Sequence, residues 1–381
     1  MKHLLNKKVG SIQISGIRQF SDKISSIENI VSLTIGQPDF LTPDYIKEAG
    51  KLAIDHNHTP YAPNAGISEL RKIASEVFNQ KYNLNYLPSE TIITNGSTEG
   101  IYLSLRAILS EGDEVILPTP AYSGYEPVIH MCGGVTKFVN TIETGFKLTA
   151  EIVERSITNK TKAIIIPFPS NPTGATMNKE ELAKVVKVLE DNDIFIISDE
   201  LYSELVFDTK HISIATFPSV REKTIVINGV SKSHAMTGWR IGFVFAPEYI
   251  IQEMLKIHQY VNTSVNTMAQ FAAVGALSGT DEAVKNMVDQ YKTRRDFLFE
   301  KLSNLGFSIV IPEGTFYLFP EIPKQFDDSY QFCLDLAEKA RVGMLPSSVF
   351  TDGGNHHVRI SFAYSMEKLK EAVERLNNYL S

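Results

Sequence analysis

Five short and almost wholly apolar runs constrain the fold of this chain more than any other feature. They are EVILP from Glu114, TKAIIIP from Thr161, and the runs at 194–200 (IFIISDE), 224–228 (TIVIN) and 241–246 (IGFVFA). A strand with one wet face alternates apolar and polar residues, whereas continuous apolar runs are typical of parallel strands buried on both faces. Helical patterns lie between them, for example at 97–110 and 179–192. The sequence therefore predicts an α/β fold in which helices cover both faces of a mostly parallel sheet.

The pattern changes after about residue 280. Helices are also predicted at 45–56 and 67–81 and a short strand at 91–94, while the first 40 or so residues read as irregular. Beyond 280, a long helix precedes three strand-like runs, GFSIV, TFYLFP and HVRISFA, and a terminal amphipathic helix, SMEKLKEAVERLNNYL. We expect a smaller α+β lobe here, packed closely against the first with a cleft between them.

Charge and composition exclude several classes of function. A net charge of −7 and a pI near 5.8 argue against a nucleic-acid-binding surface and a polybasic membrane anchor. No apolar run approaches the roughly 18 residues that span a bilayer, and no apolar signal core follows the basic start, so a cytoplasmic location is expected. The isolated Cys132 and Cys333 indicate neither a disulfide framework nor a zinc knuckle. The adjacent His356 and His357 are a poor ligand pattern, and we predict no metal site.

Polar residues follow four of the predicted strands, where ligands of open α/β sheets bind. They are the Asn95–Thr98 segment, Asn171, Asp199 with Tyr202, and Ser231 with Lys232. Taken alone, the first three groups are more often helix caps, turn residues or core aromatics. Lys232 is harder to explain in this way, because burying an ammonium group without a partner is unfavourable. Together they provide an anion cradle, an amide, a carboxylate, a phenol and an amine, which is the equipment for pyridoxal phosphate chemistry.

The chain resembles the class I/II (fold type I) pyridoxal-phosphate-dependent aminotransferases over nearly its whole length. The sharpest part is Gly229-Val230-Ser231-Lys232 followed by Gly238 and Arg240-Ile241-Gly242, which is similar to the lysine-attachment signature of that family. The segments IGQPDF, YAPNAGISELR, PAYSGY, PSNPTG, SDELYSEL, GTFYLFP and VRISFA appear in the family's order. The resemblance implies a mostly parallel seven-stranded sheet in a large cofactor-binding domain (46–280). It also implies a small C-terminal domain (281–381), with residues 1–45 forming an N-terminal arm and part of the small domain.

The resemblance also implies roles for individual residues. Lys232 would hold the cofactor as a Schiff base and, once freed, carry the proton between the substrate α-carbon and the cofactor. Asp199 would pair with the pyridine N–H, Asn171 and Tyr202 would donate to the phenolate oxygen, and Tyr122 would stack on the ring.

The cofactor's phosphate would have its own set of ligands. Ser97, Thr98, Ser231 and a buried Arg240 would bind it, with Tyr61 reaching the site of a neighbouring subunit in a homodimer. Gly229 departs from the family pattern, which often has a hydroxyl residue there, so one phosphate contact is in doubt.

For the substrate, the resemblance assigns the α-carboxylate to Arg359, assisted by Asn171 and the backbone N–H of Gly36. We therefore expect an aminotransferase that moves an α-amino group between an amino acid and a 2-oxo acid by a ping-pong mechanism.

A β-eliminating C–S lyase, a decarboxylase or a ring-forming synthase on the same fold remains an alternative. A regulatory cofactor-binding module is a further alternative from another class. A nicotinamide dehydrogenase is disfavoured because no G-x-G-x-x-G opens a helix after a strand. The sequence leaves the physiological substrates open.

Overall fold

Seven strands form the sheet at the centre of the computed structural model, which describes residues 1–350 and 354–381. In chain order they are β2 (Thr91–Thr94), β3 (Glu114–Thr119), β4 (Val135–Asn140), β5 (Thr161–Ile166), β6 (Phe195–Asp199), β7 (Thr224–Gly229) and β8 (Gly242–Phe245). Their order across the sheet is β2-β8-β7-β6-β5-β3-β4. All neighbouring pairs are parallel except those of β8, which runs antiparallel to both β7 and β2. The predicted mostly parallel seven-stranded sheet is confirmed.

Burial on both faces explains why the strands lack alternation. In β5, Ile164 and Ile166 enter one apolar cluster, whereas Ala163 and Ile165 enter another on the opposite face. All four are at most 2% exposed. Each face therefore needs an apolar side chain at every second position, and the two requirements together give a continuous apolar run.

Helices cover these faces and form much of the remaining chain. Those before the last third are α1 (Lys7–Ser11), α2 (Gly16–Ser25), α3 (Asp44–Asp55), α4 (Ser68–Tyr82), α5 (Ser97–Ile108), α6 (Tyr125–Met131), α7 (Ala150–Ser156), α8 (Lys179–Glu190), α9 (Pro218–Arg221), α10 (Glu248–Val261) and α11 (Thr267–Ser278). Local sequence fixes some of their ends. The side chain of Asn178 accepts from the Glu181 N–H and that of Glu181 from the Asn178 N–H, a capping box that starts α8.

The C-terminal segment builds smaller sheets beside the first. Its elements are α12 (Glu282–Asn304), β9 (Tyr317–Leu318), α13 (Ser329–Asp335), β10 (Val342–Gly343), β11 (Leu345–Pro346), β12 (Val358–Ser361) and α14 (Met366–Leu380). An antiparallel sheet has the order β11-β12-β9, and β10 pairs in parallel with β1 (Val31–Ser32). The division at residues 45 and 280 stays a prediction.

Two local expectations are wrong. The first 40 residues are not wholly irregular, because 16–25 form α2, whose Phe20 and Ile24 are buried. The run GFSIV forms only an isolated bridge between Ser308 and Glu321. Gly306 of this run has φ +90, and Val310 is 50% exposed. The apolar residues of this run therefore do not form a buried strand. No helix in the described ranges is both long and apolar enough to cross a bilayer.

Candidate active site

A cavity of about 280 Å³ opens where the parallel strands of the large sheet end. Eleven of the twelve residues predicted for the site line it, although they come from positions 36 to 359 of the chain. They are Gly36, Ser97, Thr98, Tyr122, Asn171, Asp199, Tyr202, Ser231, Lys232, Arg240 and Arg359. The twelfth, Tyr61, lies outside the cavity and is 86% exposed. The topology thus brings together what the sequence places far apart.

Lys232 lies in the loop that follows β7. Its Nζ donates a hydrogen bond of 2.7 Å to the carbonyl oxygen of Gly36. Burial lowers the pKa of Lys232 to about 8, and the positive charges of Arg359 and Arg240 lower it further in the same direction. The lowered pKa enlarges the neutral fraction of this amine near physiological pH to about a tenth, and the neutral form is the one that acts as a nucleophile or base.

Asp199 ends β6 on the floor of the cavity. Its carboxylate accepts hydrogen bonds from the Tyr125 hydroxyl (2.7 Å) and the Leu201 N–H (3.2 Å), and neither donor is charged. Burial raises the pKa of Asp199 to about 6, although both hydrogen bonds act to lower it. A carboxylate in this setting has a strong preference for a cationic partner.

Tyr202 and Asn171 lie on another side of the cavity. Burial raises the pKa of Tyr202 well above its usual value, so this phenol is protonated and able to donate. The Oδ1 atom of Asn171 accepts from Arg359 Nη1 at 2.9 Å, which leaves the NH₂ group of the amide for another acceptor. Tyr122 meets Tyr125 edge to face, with ring centroids 5.5 Å apart.

The start of α5 forms the predicted anion cradle with Arg240. Ser97 and Thr98 are the first two residues of this helix, and Gly96 before them has φ +79. A Cβ atom at Gly96 would lie 2.2 Å from Arg240 Nη2, so only glycine allows the guanidinium this close to the turn. Free backbone N–H groups at a helix start and a guanidinium beside them favour an anion. The prediction of a buried Arg240 is wrong, because its side chain is exposed at the mouth of the cavity. Ser231 is buried.

A network of polar side chains that the sequence did not reveal contacts the turn before α5. Asn64 Nδ2 donates to the Thr263 carbonyl (3.0 Å) and faces His258 Nδ1 (3.1 Å), so Nδ1 must accept and Nε2 carries the ring proton. That Nε2 atom lies 3.5 Å from Glu99 Oε2, a contact outside hydrogen-bond geometry, whereas the same oxygen accepts from the Asn95 N–H at 2.5 Å. Burial raises the pKa of Glu99, but these donors outweigh burial and the pKa is lowered overall. Glu99 is thus an ionised group that fixes the turn leading into α5.

Arg359 on β12 is the most enclosed cation of the cavity, with 2% exposure. Its Nη2 donates to the Thr34 carbonyl at 2.7 Å, and the guanidinium lies over the rings of Tyr317 (4.3 Å) and Phe350 (4.9 Å). Its Nε has no hydrogen-bond partner among the described residues. Its hydrogen bonds go to neutral acceptors, so the charge is available for a carboxylate ligand.

Two further positions refine the prediction. Tyr317 lines the cavity and was missed, because an aromatic residue in an apolar run such as TFYLFP reads as core. Gly229 does not line the cavity, and a Cβ there would lie 3.0 Å from the Ile241 carbonyl oxygen and 3.3 Å from Leu201 Cδ1. The packing of β7 against its neighbours therefore favours glycine at this position.

Comparison with known proteins shows the family to which this chain belongs. The family model "Aminotransferase class I and II" matches residues 28–376. A probable N-acetyl-LL-diaminopimelate aminotransferase of Bacillus subtilis is 47% identical, with 100% of this chain and 96% of that protein covered. An aromatic-amino-acid aminotransferase of Thermococcus litoralis is 38% identical, with 99% and 98% covered. The solved structure of the Thermus thermophilus aspartate aminotransferase with maleate superposes with a TM-score of 0.94 at 36% identity, covering 98% of this chain and 99% of that one. By its sequence along almost its full length and by its fold, this chain belongs to the class I and II aminotransferases.

Proposed function

We propose that this aminotransferase uses pyridoxal 5'-phosphate to move an α-amino group from an amino acid to a 2-oxo acid in a ping-pong cycle. The observation that carries the proposal is Asp199, a buried carboxylate without a charged donor, in one cavity with the partly neutral amine of Lys232. A protonated pyridine nitrogen is the cation that such a carboxylate would stabilise, and an aldehyde is the group that such an amine would attack.

The remaining residues fit the other groups of this cofactor. Lys232 would hold the aldehyde carbon, and Tyr202 with the free NH₂ of Asn171 would donate to the phenolate oxygen. The N–H groups at the start of α5, the hydroxyls of its first residues and Arg240 would hold the phosphate. The ring of Tyr122 would pack on the cofactor ring.

When bound, pyridoxal phosphate supplies the carbon that takes up the amino group and a ring that accepts the electron pair left at the α-carbon. The chain's own residues would then position and protonate. Arg359 would hold the substrate α-carboxylate by a two-pronged contact, with the Gly36 backbone beside it. The freed Nζ of Lys232 would remove the proton from the substrate α-carbon and deliver it to the cofactor carbon that has taken up the amino group. A lowered pKa suits both tasks, because an amine that titrates near neutrality can take and give a proton at the working pH.

The proposal extends to the assembly and its location. We propose a homodimer in which Tyr61 contacts the phosphate held by a neighbouring subunit, and a cytoplasmic location. The 86% exposure of Tyr61 supports the shared site, because this side chain is free to contact a neighbouring subunit. Sedimentation analysis tests the dimer, and activity restored by mixing a Tyr61→Ala subunit with a Lys232→Ala subunit tests the shared site. Cell fractionation tests the location.

The reaction is tested by a panel of amino acids added to the holoenzyme without an acceptor acid. The panel includes aspartate, phenylalanine and N-acetyl-LL-diaminopimelate, since relatives carry the names of these substrates. Transamination predicts that the visible absorbance band of the bound cofactor disappears. It also predicts one equivalent of the matching 2-oxo acid and no ammonia. Release of ammonia with pyruvate would instead identify a lyase, and carbon dioxide a decarboxylase.

A further inference from the structure

Tyr317 on β9 touches three parts of the proposed machinery. Its hydroxyl lies 3.1 Å from the hydroxyl of Tyr202, and its ring lies under the guanidinium of Arg359 at 4.3 Å. A Cβ atom at Gly36 would lie 2.5 Å from the same hydroxyl, which places it against the backbone that accepts from Lys232. The side chain is 1% exposed, so it has no freedom to turn into solvent.

The direction of the hydrogen bond between the two hydroxyls follows from proton counting. Each phenol has one proton to donate. If Tyr202 directs its proton to an acceptor in the cavity, its oxygen can only accept from Tyr317. The Tyr317 hydroxyl then donates its proton to the Tyr202 oxygen. This hydrogen bond polarises the Tyr202 hydroxyl and makes it a stronger donor than it would be alone.

We propose that Tyr317 is a positioning residue with two separable tasks: its hydroxyl directs the proton of Tyr202 into the cavity, and its ring holds the Arg359 guanidinium in place. This inference rests on the proposed function, because it assigns Tyr202 an acceptor on the cofactor. The second task follows from the position of the Arg359 guanidinium over the rings of Tyr317 and Phe350, because these contacts restrict the orientation of the planar group.

The surroundings of the two hydroxyls bear on the test. The charged and titratable groups that face them include Arg359, Asp199, Tyr122, Tyr125, Tyr291 and Tyr364, and Lys232 lines the same cavity. Substitution of Tyr317 by Phe leaves all of these groups in place and removes a single oxygen atom. The comparison is therefore one of hydrogen bonding alone.

The first experiment titrates the visible band of the holoenzyme with pH. A donor to the phenolate oxygen favours the more negative form of the bound cofactor and so lowers the titration midpoint. Tyr317→Phe should raise the midpoint by about half a pH unit, the size expected for one lost hydrogen bond. In a Tyr202→Phe background the same substitution should cause no further shift, because the donor that it acts through is already gone. An unchanged midpoint in Tyr317→Phe, or an equal shift in both backgrounds, would overturn the first task.

The second experiment measures half-saturation by the amino acid that reacts fastest in the panel, at a pH well above both midpoints. Tyr317→Phe keeps the ring and should leave this value within about twofold of wild type. Tyr317→Leu removes the ring and should raise it roughly threefold to thirtyfold, the range expected for a lost cation–π contact. Equal values for Phe and Leu would contradict the second task. The failure of the proposed function is a different result, since wild-type protein would then show no visible band to titrate.

Discussion

Replacing Asp199 by Asn should make the cofactor-free protein more stable and the cofactor-bound protein less so. The substitution keeps the shape of the side chain and an oxygen that can accept from the Leu201 N–H. It removes a buried negative charge whose hydrogen bonds come from the neutral Tyr125 and a backbone N–H. A carboxylate whose charge stabilised the fold itself would instead lose stability in both states when that charge is removed.

The magnitude follows from the pKa of Asp199, which burial raises from 3.8 to about 6. Well below pH 4 the carboxyl is protonated in both the folded and the unfolded chain. Between about pH 4 and pH 6 the unfolded chain has lost this proton while the folded chain keeps it, so the free energy of unfolding falls over this range by about 3 kcal/mol in total and stays constant above it. An entropy of unfolding near 2.1 cal/mol/K per residue converts this into a change in Tm of about 4 °C.

Calorimetry of the cofactor-free proteins at pH 8 and pH 4 is the assay. Asp199→Asn should melt about 4 °C above wild type at pH 8 and within about 1 °C of it at pH 4. With pyridoxal phosphate the order should reverse, because the variant lacks the charge proposed to hold the pyridine nitrogen. Asp193→Asn, which removes an exposed carboxylate just before the same strand, is the matched control and should change neither value. A cofactor-free Asp199→Asn protein that melts below wild type at pH 8 would refute the reasoning.

Three further substitutions test other parts of the site. Arg359→Lys keeps the positive charge but loses the planar guanidinium. It should raise the amino-acid concentration that gives half-saturation roughly tenfold to a hundredfold, measured from the decay of the cofactor's visible absorbance. An unchanged concentration would mean that another group holds the carboxylate. Gly36→Ala should lower kcat/KM roughly tenfold or more, because its Cβ would lie 2.5 Å from the Tyr317 hydroxyl. Gly10→Ala, with nothing within 4 Å, is its control, and equal rates for the two would contradict the packing argument. His258→Phe should weaken pyridoxal phosphate roughly tenfold in an absorbance titration, since Glu99 loses its neighbouring donor. His258→Gln keeps a donor and should lose less, and equal losses would speak against the network.

The sequence predicted the large sheet well because burial on two faces leaves an unmistakable pattern. Thr91–Thr94 was predicted to the residue, and the bounds of the other predicted strands of this sheet agree within one position, whereas β4 (Val135–Asn140) was not predicted. The run GFSIV failed because apolar content alone does not show whether a partner strand is near. The helix Gly16–Ser25 was missed because it is short and its two buried residues were not enough to reveal a period.

The site residues were predicted from sequence motifs, so residues that belong to no motif were missed. Lys232, Asp199 and Arg359 stand out because charged groups beside buried strands require a reason. Tyr317 and His258 gave no such signal, since an aromatic or a histidine in an apolar segment is ordinary core. Their roles depend on which side chain lies opposite, a fact that topology decides and that no local pattern contains.

The central claim is that the Lys232 amine is the attachment point of pyridoxal phosphate. The most direct measurement is to mix the colourless protein with the cofactor, reduce with borohydride, digest, and locate the label by mass spectrometry. The account predicts one stable phosphopyridoxyl group per chain, on Lys232, and none in Lys232→Ala. A label spread over exposed lysines, or one retained in Lys232→Ala at full stoichiometry, would contradict it.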